Sequence, residues 1–207
     1  MKASQLFVCV SLACSSTLAQ STSYTSRSDF NAALGASTTI TFESLAPTDS
    51  SGLGVGAITV SGVTFTNFEH QLLISSGSYL GTGQFLFNFD SSYPVGVFLP
   101  GGRTAFGADF SGGIGPNPAF NATLTFNLLD GQSVSYIFTG TQNAWTFFGP
   151  TFAEPITSLV YDDGGQFFPG SHEEAFDNGT FGSVVPEPHC LLVVPLTLLL
   201  LRLRRAA

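Results

Sequence analysis

Acidic side chains offer this sequence its clearest chemistry, because carboxylates lie near both ends of its central segment. Glu43 belongs to the first predicted sheet strand, and Asp177 lies in the last. The two ends of a domain commonly lie close together, which would make these residues neighbours. Two carboxylates with nearby backbone carbonyls suit Ca²⁺, which takes about six to eight oxygen ligands. We therefore expect a calcium site at Glu43 and Asp177. The alternative is that Asp177-Asn178-Gly179 is a turn and Glu43 an exposed charge at a strand end.

The usual catalytic motifs do not occur. His70 and His172 do not form the His-Glu-x-x-His pattern of zinc proteases, and the sequence has no Gly-x-Ser-x-Gly pentapeptide of a serine hydrolase. We expect His172-Glu173-Glu174 in a surface loop. Asp162-Asp163-Gly164-Gly165 lacks the spacing of an EF-hand loop and is expected to be a turn. We expect a protein that is not an enzyme. Polysaccharide hydrolysis is a less favoured alternative, because the paired carboxylates of such a hydrolase need no sequence motif.

Aromatic residues beside predicted loops provide the second kind of candidate, because sugar rings stack on exposed aromatic faces. These residues are Tyr79, Tyr93, Trp145, Phe167 and Phe168. Most of the 21 Phe residues occupy strand positions and are expected in the core. A calcium-assisted, lectin-like carbohydrate-binding module is therefore an alternative function.

The charge distribution argues against a nucleic-acid partner. The chain has a net charge of −8, and Arg27 and Arg103 are the only basic lysine or arginine residues between its two apolar ends. Such an acidic surface repels phosphate backbones. Cys9, Cys14 and Cys190 all lie in the terminal apolar segments, so the middle segment has no disulfide and no thiol chemistry.

The N-terminus has the three-part layout of a secretory signal peptide. Lys2 supplies a positive start, the run from Leu6 to Ala13 is apolar, and small residues precede a cleavage position after Ala19. The apolar run is too short for a permanent membrane anchor. We therefore predict that residues 1–19 are a signal peptide that directs the chain to the secretion machinery.

The C-terminus combines an extended motif, an apolar stretch and basic residues. The motif is Pro186-Glu187-Pro188, and the apolar stretch runs from Leu191 to Leu201. Arg202, Arg204 and Arg205 follow it as a stop-transfer signal. The prolines favour an extended segment that a membrane-embedded peptidase can bind, while the stretch behind them predicts a transmembrane helix.

This tail resembles the PEP-CTERM sorting domain of Gram-negative bacteria, which is also known as an ice-binding-protein C-terminal domain. The resemblance covers residues 184–207 and implies that an exosortase recognises Pro186-Glu187-Pro188 and removes the helix. It further implies an inner-membrane-anchored precursor that passes to the cell surface or the extracellular matrix, where extracellular polysaccharide is a candidate partner. The alternative is an ordinary C-terminal membrane anchor without sorting.

The middle segment, residues 20–183, has the pattern of an all-β domain. A capping serine and a closing glycine predict one short helix over Ser28 to Gly35. About a dozen short runs of β-branched and aromatic residues follow, separated by glycine, serine and proline. We predict a β-sandwich or jelly roll of about 10–12 strands. The clearest hairpin joins Ala122–Leu128 to Ser133–Thr139 through Asp130-Gly131.

Several short segments resemble the jelly-roll ectodomains that often precede such tails. They are the segments 26–34, 40–45, 62–65, 105–110, 147–149, 155–159 and 176–182. The resemblance implies the fold and names no catalytic residue. The sequence as a whole predicts an exported, non-enzymatic protein of the cell surface or matrix.

Overall fold

The computed structural model describes residues 21–48, 54–76, 80, 83–88, 93–112, 119–141, 144–164 and 174–185. The residues predicted to act in signal cleavage, sorting and stop-transfer lie outside these ranges: Ala19, Pro186, Glu187, Pro188, Arg202, Arg204 and Arg205. The predicted transmembrane helix lies outside them as well. Within the described ranges, no helix is long and apolar enough to cross a bilayer.

The described residues form thirteen strands and one helix. The helix is α1 (Arg27–Ala33). The strands are β1 (Ser21–Tyr24), β2 (Leu34–Ile40), β3 (Ala57–Val60), β4 (Val63–Thr66), β5 (Leu72–Ser75), β6 (Phe85–Asn88), β7 (Val95–Phe98), β8 (Ala105–Ser111), β9 (Ala119–Leu128), β10 (Ser133–Thr141), β11 (Thr146–Phe152), β12 (Ile156–Asp162) and β13 (Ala175–Val184).

Two antiparallel sheets contain these strands. The first has seven strands in the order β1-β11-β8-β13-β6-β5, and β2 pairs with the same side of β13 as β6 does. The second has six strands in the order β10-β9-β12-β7-β4-β3. The predicted all-β sandwich with one short N-terminal helix is confirmed. Its strand number exceeds the predicted range because the polar segment of β1 was not expected to pair.

Phenylalanine fills the space between the sheets, as the sequence predicts. Most of the Phe residues are buried, and aromatic rings from both sheets form one continuous cluster. Phe176 lies at its centre, because its ring contacts four others: Phe42, Phe65, Phe106 and Phe110. These rings adopt edge-to-face and stacked geometries that add to the energy of burial.

Helix α1 packs on the first sheet where two glycines, Gly107 and Gly149, leave room beside the rings of Tyr24 and Phe147. The Ser26 Oγ accepts a hydrogen bond from the Asp29 N–H and caps the helix. Phe30 is fully buried against Gly107 and Gly149. A Cβ at either glycine would come within about 3 Å of the Phe30 ring, so the helix seats here only because both residues are glycine.

The predicted hairpin is present between β9 and β10. Ser133 pairs with Asn127, and the alternation of buried and exposed residues continues along both strands. Gly131 has a φ of 85°, a left-handed conformation that glycine adopts without strain. The Asp130 Oδ1 accepts a hydrogen bond from the Gln132 N–H and closes the turn.

Candidate functional site

Asp177 lies at a junction where β13 changes its strand partner. Ala175 and Phe176 pair with β6, whereas the segment from Gly179 onward pairs with β2. The pairing of β13 with β8 also shifts in register between Asp177 and Thr180, and Asn178 has a φ of 48°. Asp177 is 5% exposed, so the alternative that placed it in a turn is wrong. It lies at a bulge within a buried strand, a position where irregular backbone re-aims side chains.

Hydrogen bonds from Asn178 hold the Asp177 carboxylate in place. The Asn178 N–H donates to Asp177 Oδ1 at 2.7 Å. The Asn178 Nδ2 donates to Asp177 Oδ2 and to Asp109 Oδ2, both at 3.1 Å. One amide therefore bridges the two carboxylates on neighbouring strands.

Arg27 places a positive charge beside the same junction. Its Nη2 lies 2.8 Å from Asp109 Oδ1, and its Nη1 donates to Thr180 Oγ1 at 3.2 Å. The guanidinium also lies over the Phe147 ring, 4.6 Å from its centroid. Arg27 thus connects helix α1 to β13 and β8, and its positive charge pairs with the Asp109 carboxylate.

Glu43 lies near this junction, although not where the sequence predicted it. Strand β2 ends at Ile40, and Glu43 is exposed in the turn that follows, so its assignment to the first sheet strand is wrong. Its Oε1 accepts a hydrogen bond from the Gln84 N–H at 3.0 Å. The carboxylate lies so close to Gly83 that a Cβ there would collide with it. Glycine at position 83 therefore lets Glu43 cap the start of β6.

The electrostatics of Asp177 show that Glu43 and Asp177 are near enough to interact. Burial raises the pKa of Asp177 from 3.8 to about 6, the Asn178 hydrogen bond lowers it, and the charges of Asp109 and Glu43 raise it. Arg27 lowers this pKa by a smaller amount. The donor set consists of carboxylate oxygens, which suit a hard cation. Calcium at Glu43 and Asp177 stays a prediction.

A second group of carboxylates lies at one end of the sandwich. This acidic triad consists of Asp162, Asp163 and Glu174, whose carboxylate oxygens all lie within 4.8 Å of one another. Asp163 is 0% exposed and Glu174 is 1% exposed. The prediction that Glu174 lies in a surface loop is therefore wrong, because its side chain is buried. In the turn expected at Asp162-Asp163-Gly164-Gly165, the side chain of Asp163 is buried.

Strand ends from both sheets position the acidic triad. Asp162 is the last residue of β12 in the six-stranded sheet, and Glu174 immediately precedes β13 in the other. The Asp162 Oδ1 accepts a hydrogen bond from the Gly164 N–H at 2.7 Å, and Glu174 Oε1 accepts one from the Asp163 N–H at 3.4 Å. The sequence does not reveal this group, because its members come together only when the two sheets face each other.

Asn88, the last residue of β6, extends the polar network of the triad. Its Nδ2 donates to Glu174 Oε2 at 2.6 Å and to the Tyr93 carbonyl at 3.0 Å. Its backbone N–H donates to the Glu174 carbonyl at 2.8 Å. The side chain is fully buried, and its Oδ1 has no hydrogen-bond partner in the part of the chain that the structure describes.

Tyr161 lies in the core, and the charges of the acidic triad act on its hydroxyl. It is fully buried, and its hydroxyl donates to the Ser111 carbonyl at 2.9 Å. Burial raises the pKa of Tyr161 well above its usual value, and the charges of Glu174 and Asp163 raise it further. The phenol is therefore a neutral hydrogen-bond donor at all physiological pH values.

Two exposed aromatic rings lie next to this network. This aromatic pair consists of Phe68, 80% exposed, and Tyr93, 45% exposed, with ring centroids 5.2 Å apart and planes inclined by 54°. Tyr93 was among the predicted candidates, whereas the run of β-branched and aromatic residues from Val63 to Phe68 predicts a strand that would include Phe68. Strand β4 ends earlier, at Thr66, and leaves Phe68 in the loop.

Asn67 fixes the loop that carries Phe68. Its Nδ2 donates to the Tyr93 carbonyl at 2.8 Å, and its Oδ1 accepts hydrogen bonds from the N–H groups of Glu69 and Gln71. The Tyr93 carbonyl thus accepts from both Asn67 and Asn88. The aromatic pair is therefore linked to the acidic triad through two buried amides.

Trp145, another predicted aromatic candidate, does not join this surface. The Trp145 ring packs against Phe85, with centroids 5.4 Å apart, in a small cluster on the outer side of the first sheet. Tyr79, Phe167 and Phe168 lie outside the described residues.

Comparisons with known proteins give one structural neighbour to report. No family model matches the chain, and no curated protein is detectably similar to it. The chain is similar to the CBM22-1 xylan-binding domain of Xyn10C from Paenibacillus barcinonensis, with 11% sequence identity and a TM-score of 0.42. The match covers 71% of this chain and 93% of that domain. At this level of similarity, the ligand of the neighbour carries no argument about this chain.

Proposed function

We propose that this chain is an exported, non-enzymatic protein of the bacterial surface or matrix that binds a neutral polysaccharide through Phe68 and Tyr93. The observation that carries the proposal is the exposure of two adjacent aromatic rings on loops that buried hydrogen bonds hold in place. Exposed apolar patches on soluble domains commonly mark binding surfaces. A pre-ordered pair of rings loses little conformational entropy when a sugar stacks on it.

The charge of the protein favours a neutral ligand. The chain carries 14 acidic residues against six basic ones. Among the described residues, the arginines are Arg27, which pairs with Asp109, and Arg103, whose guanidinium lies over the Phe181 ring. An acidic polysaccharide would meet net repulsion on such a surface. Neutral glycans meet none.

Binding is favoured over hydrolysis because of where the carboxylates lie. A glycosidase needs two carboxyl groups that reach the glycosidic bond from an open cleft, separated by about 5–10 Å. In the acidic triad, Asp163 and Glu174 are buried, which does not suit groups that must reach a glycosidic bond from an open cleft. Polysaccharide hydrolysis is therefore the less favoured alternative.

Polysaccharide binding is tested by affinity electrophoresis in gels that contain a soluble β-glucan, a galactomannan, a xylan or alginate. We expect Phe68→Ala and Tyr93→Ala each to weaken the retardation by a neutral polysaccharide about ten-fold or more, which is about 1.4 kcal/mol. Ile137→Ala is the matched control, because Ile137 is 78% exposed on β10 at the opposite edge of the same sheet as β4. Equal retardation of all four proteins would overturn the assignment of the site.

Export and sorting rest on the resemblance of the tail to the PEP-CTERM domain. In this proposal the precursor is anchored in the inner membrane of a Gram-negative bacterium until an exosortase cuts near Pro186-Glu187-Pro188. Replacing these three residues by alanine should keep the full-length precursor in the inner-membrane fraction, as judged by immunoblot and mass spectrometry. Arg27→Lys, a change within the sandwich, serves as the control. Unchanged mature mass and location in the triple variant would contradict sorting and favour a plain membrane anchor.

A further inference from the structure

Three carboxylates converge at the end of the sandwich that carries the aromatic pair. The oxygens of Asp162, Asp163 and Glu174 lie within 4.8 Å of one another, and two of these residues are almost completely buried. Carboxylates this close raise one another's energy, and a low-dielectric environment strengthens the effect. A divalent cation in their midst turns this repulsion into attraction.

An unpartnered carbonyl oxygen lies beside the same group. Asn88 is fully buried, and among the described residues its Oδ1 has no hydrogen-bond partner. Its Nδ2 donates to both Glu174 Oε2 and the Tyr93 carbonyl, which fixes the orientation of the amide. Because Oδ1 and Nδ2 share one amide carbon, Oδ1 lies within about 5 Å of Glu174 Oε2. A buried acceptor without a donor calls for an explanation, and a bound ion is one that the neighbouring carboxylates favour here.

We propose that Asp162, Asp163, Glu174 and the Asn88 Oδ1 form a calcium site that differs from the one predicted at Glu43 and Asp177. All four residues offer oxygen, which matches Ca²⁺ and gives no preference to softer metals that select histidine or cysteine. Ca²⁺ accepts irregular oxygen sets and completes them with water or backbone carbonyls. The site stands on these residues alone and does not depend on polysaccharide binding.

The proposed calcium site is connected by hydrogen bonds to the loops that carry Phe68 and Tyr93. Asn88 connects Glu174 to the Tyr93 carbonyl, and Asn67 connects the same carbonyl to the loop of Phe68. A cation that fixes Glu174 and Asn88 therefore also fixes the backbone below both aromatic rings. Calcium would pre-order the aromatic pair without contacting a ligand.

The test uses the purified protein, freed of metal with EDTA and titrated with CaCl₂ at pH 7.5 in the absence of polysaccharide. Calorimetry should give a dissociation constant of about 10⁻⁴–10⁻³ M, the range of extracellular calcium modules. The melting temperature should rise by about 3–8 °C at 10 mM Ca²⁺. Asp162→Asn and Asp163→Asn should weaken binding at least ten-fold, whereas the control Asp130→Asn, in the exposed β9–β10 turn, should leave binding unchanged. Glu43→Gln reports separately on the other predicted site.

The variants separate the proposal from its alternatives. Asp162 is partly exposed, so Asp162→Asn carries the test if Asp163→Asn does not fold. An unchanged affinity in Asp162→Asn, or binding lost only in Glu43→Gln, would overturn the site. No thermal response to Ca²⁺, together with stabilisation by acid that Asp163→Asn removes, would identify a shared proton instead. Because polysaccharide is absent from the titration, failure of the metal site leaves the polysaccharide proposal intact, and the reverse also holds.

Discussion

Replacing Asp177 by Asn should remove a pH-dependent penalty that the fold imposes on this carboxylate. Burial raises the pKa of Asp177 to about 6 from 3.8, and the charges of Asp109 and Glu43 contribute. An acid with a higher pKa in the folded state binds its proton more tightly when folded. The penalty is therefore fully present above pH 6 and disappears as the pH falls toward 3.8.

The size of the effect follows from the shift. One pKa unit corresponds to about 1.4 kcal/mol, so the shift of Asp177 sets an upper limit of about 3 kcal/mol. Screening by solvent, to which the neighbouring Glu43 is exposed and Arg27 partly exposed, reduces this to about 1–2 kcal/mol. For a chain of this size, that difference corresponds to a change in melting temperature of about 2–8 °C. The substituted Asn keeps an oxygen that can accept from the Asn178 N–H.

The assay is urea unfolding of the wild type and Asp177→Asn between pH 4 and pH 7, without calcium. The free energy of unfolding of Asp177→Asn, relative to the wild type, should increase by about 1–2 kcal/mol from pH 4 to pH 7. Asp130→Asn is the control, because it removes a carboxylate from the exposed β9–β10 turn and leaves the Asp177 junction untouched. A constant difference for Asp177→Asn, or one that grows toward pH 4, would refute the reasoning.

Two further predictions concern the core and the seat of the helix. Phe176→Ala should lower the free energy of unfolding by about 3–5 kcal/mol, because it opens a cavity among four aromatic rings; a loss below about 1 kcal/mol in urea unfolding would contradict this. Gly107→Ala should cost about 1–3 kcal/mol, because its Cβ would meet the Phe147 ring at 2.9 Å and the Gly149 Cα at 3.0 Å. Gly101→Ala, which has open space around its Cβ, should melt within about 1 °C of the wild type, and equal melting of both glycine variants would rule out the tight seat.

The strands could be predicted because their pattern is local. Alternation along Ala122 to Leu128 and the Asp130-Gly131 turn determine the β9–β10 hairpin without help from the rest of the chain. β1 could not be predicted in this way, because Ser21–Tyr24 is mostly exposed and belongs to a sheet only through its backbone pairing with β11. Strand type is a local property, whereas strand partnership is not.

The acidic groups show the same division. The ends of the domain were expected to lie close together, and β2 does pair with β13, although Glu43 lies beyond the end of β2. The burial of Asp163 and Glu174 was not expected, because an acidic dipeptide before two glycines has the local signature of a turn. Only the meeting of the two sheets buries these side chains. Phe68 was missed for a related reason, since its aromatic character extended the predicted strand beyond Thr66.

The topology also relates the proposed binding surface to the proposed anchor. β13 begins beside the acidic triad and ends at Val184, the first residue of the tail. At about 3.3 Å per residue, its ten residues span about 30 Å, so the aromatic pair and the start of the tail lie at opposite ends of the sandwich. In a precursor held by its tail, Phe68 and Tyr93 would therefore face away from the membrane. Polysaccharide binding and exosortase cleavage would then not compete for the same face, and a ligand could be bound before release.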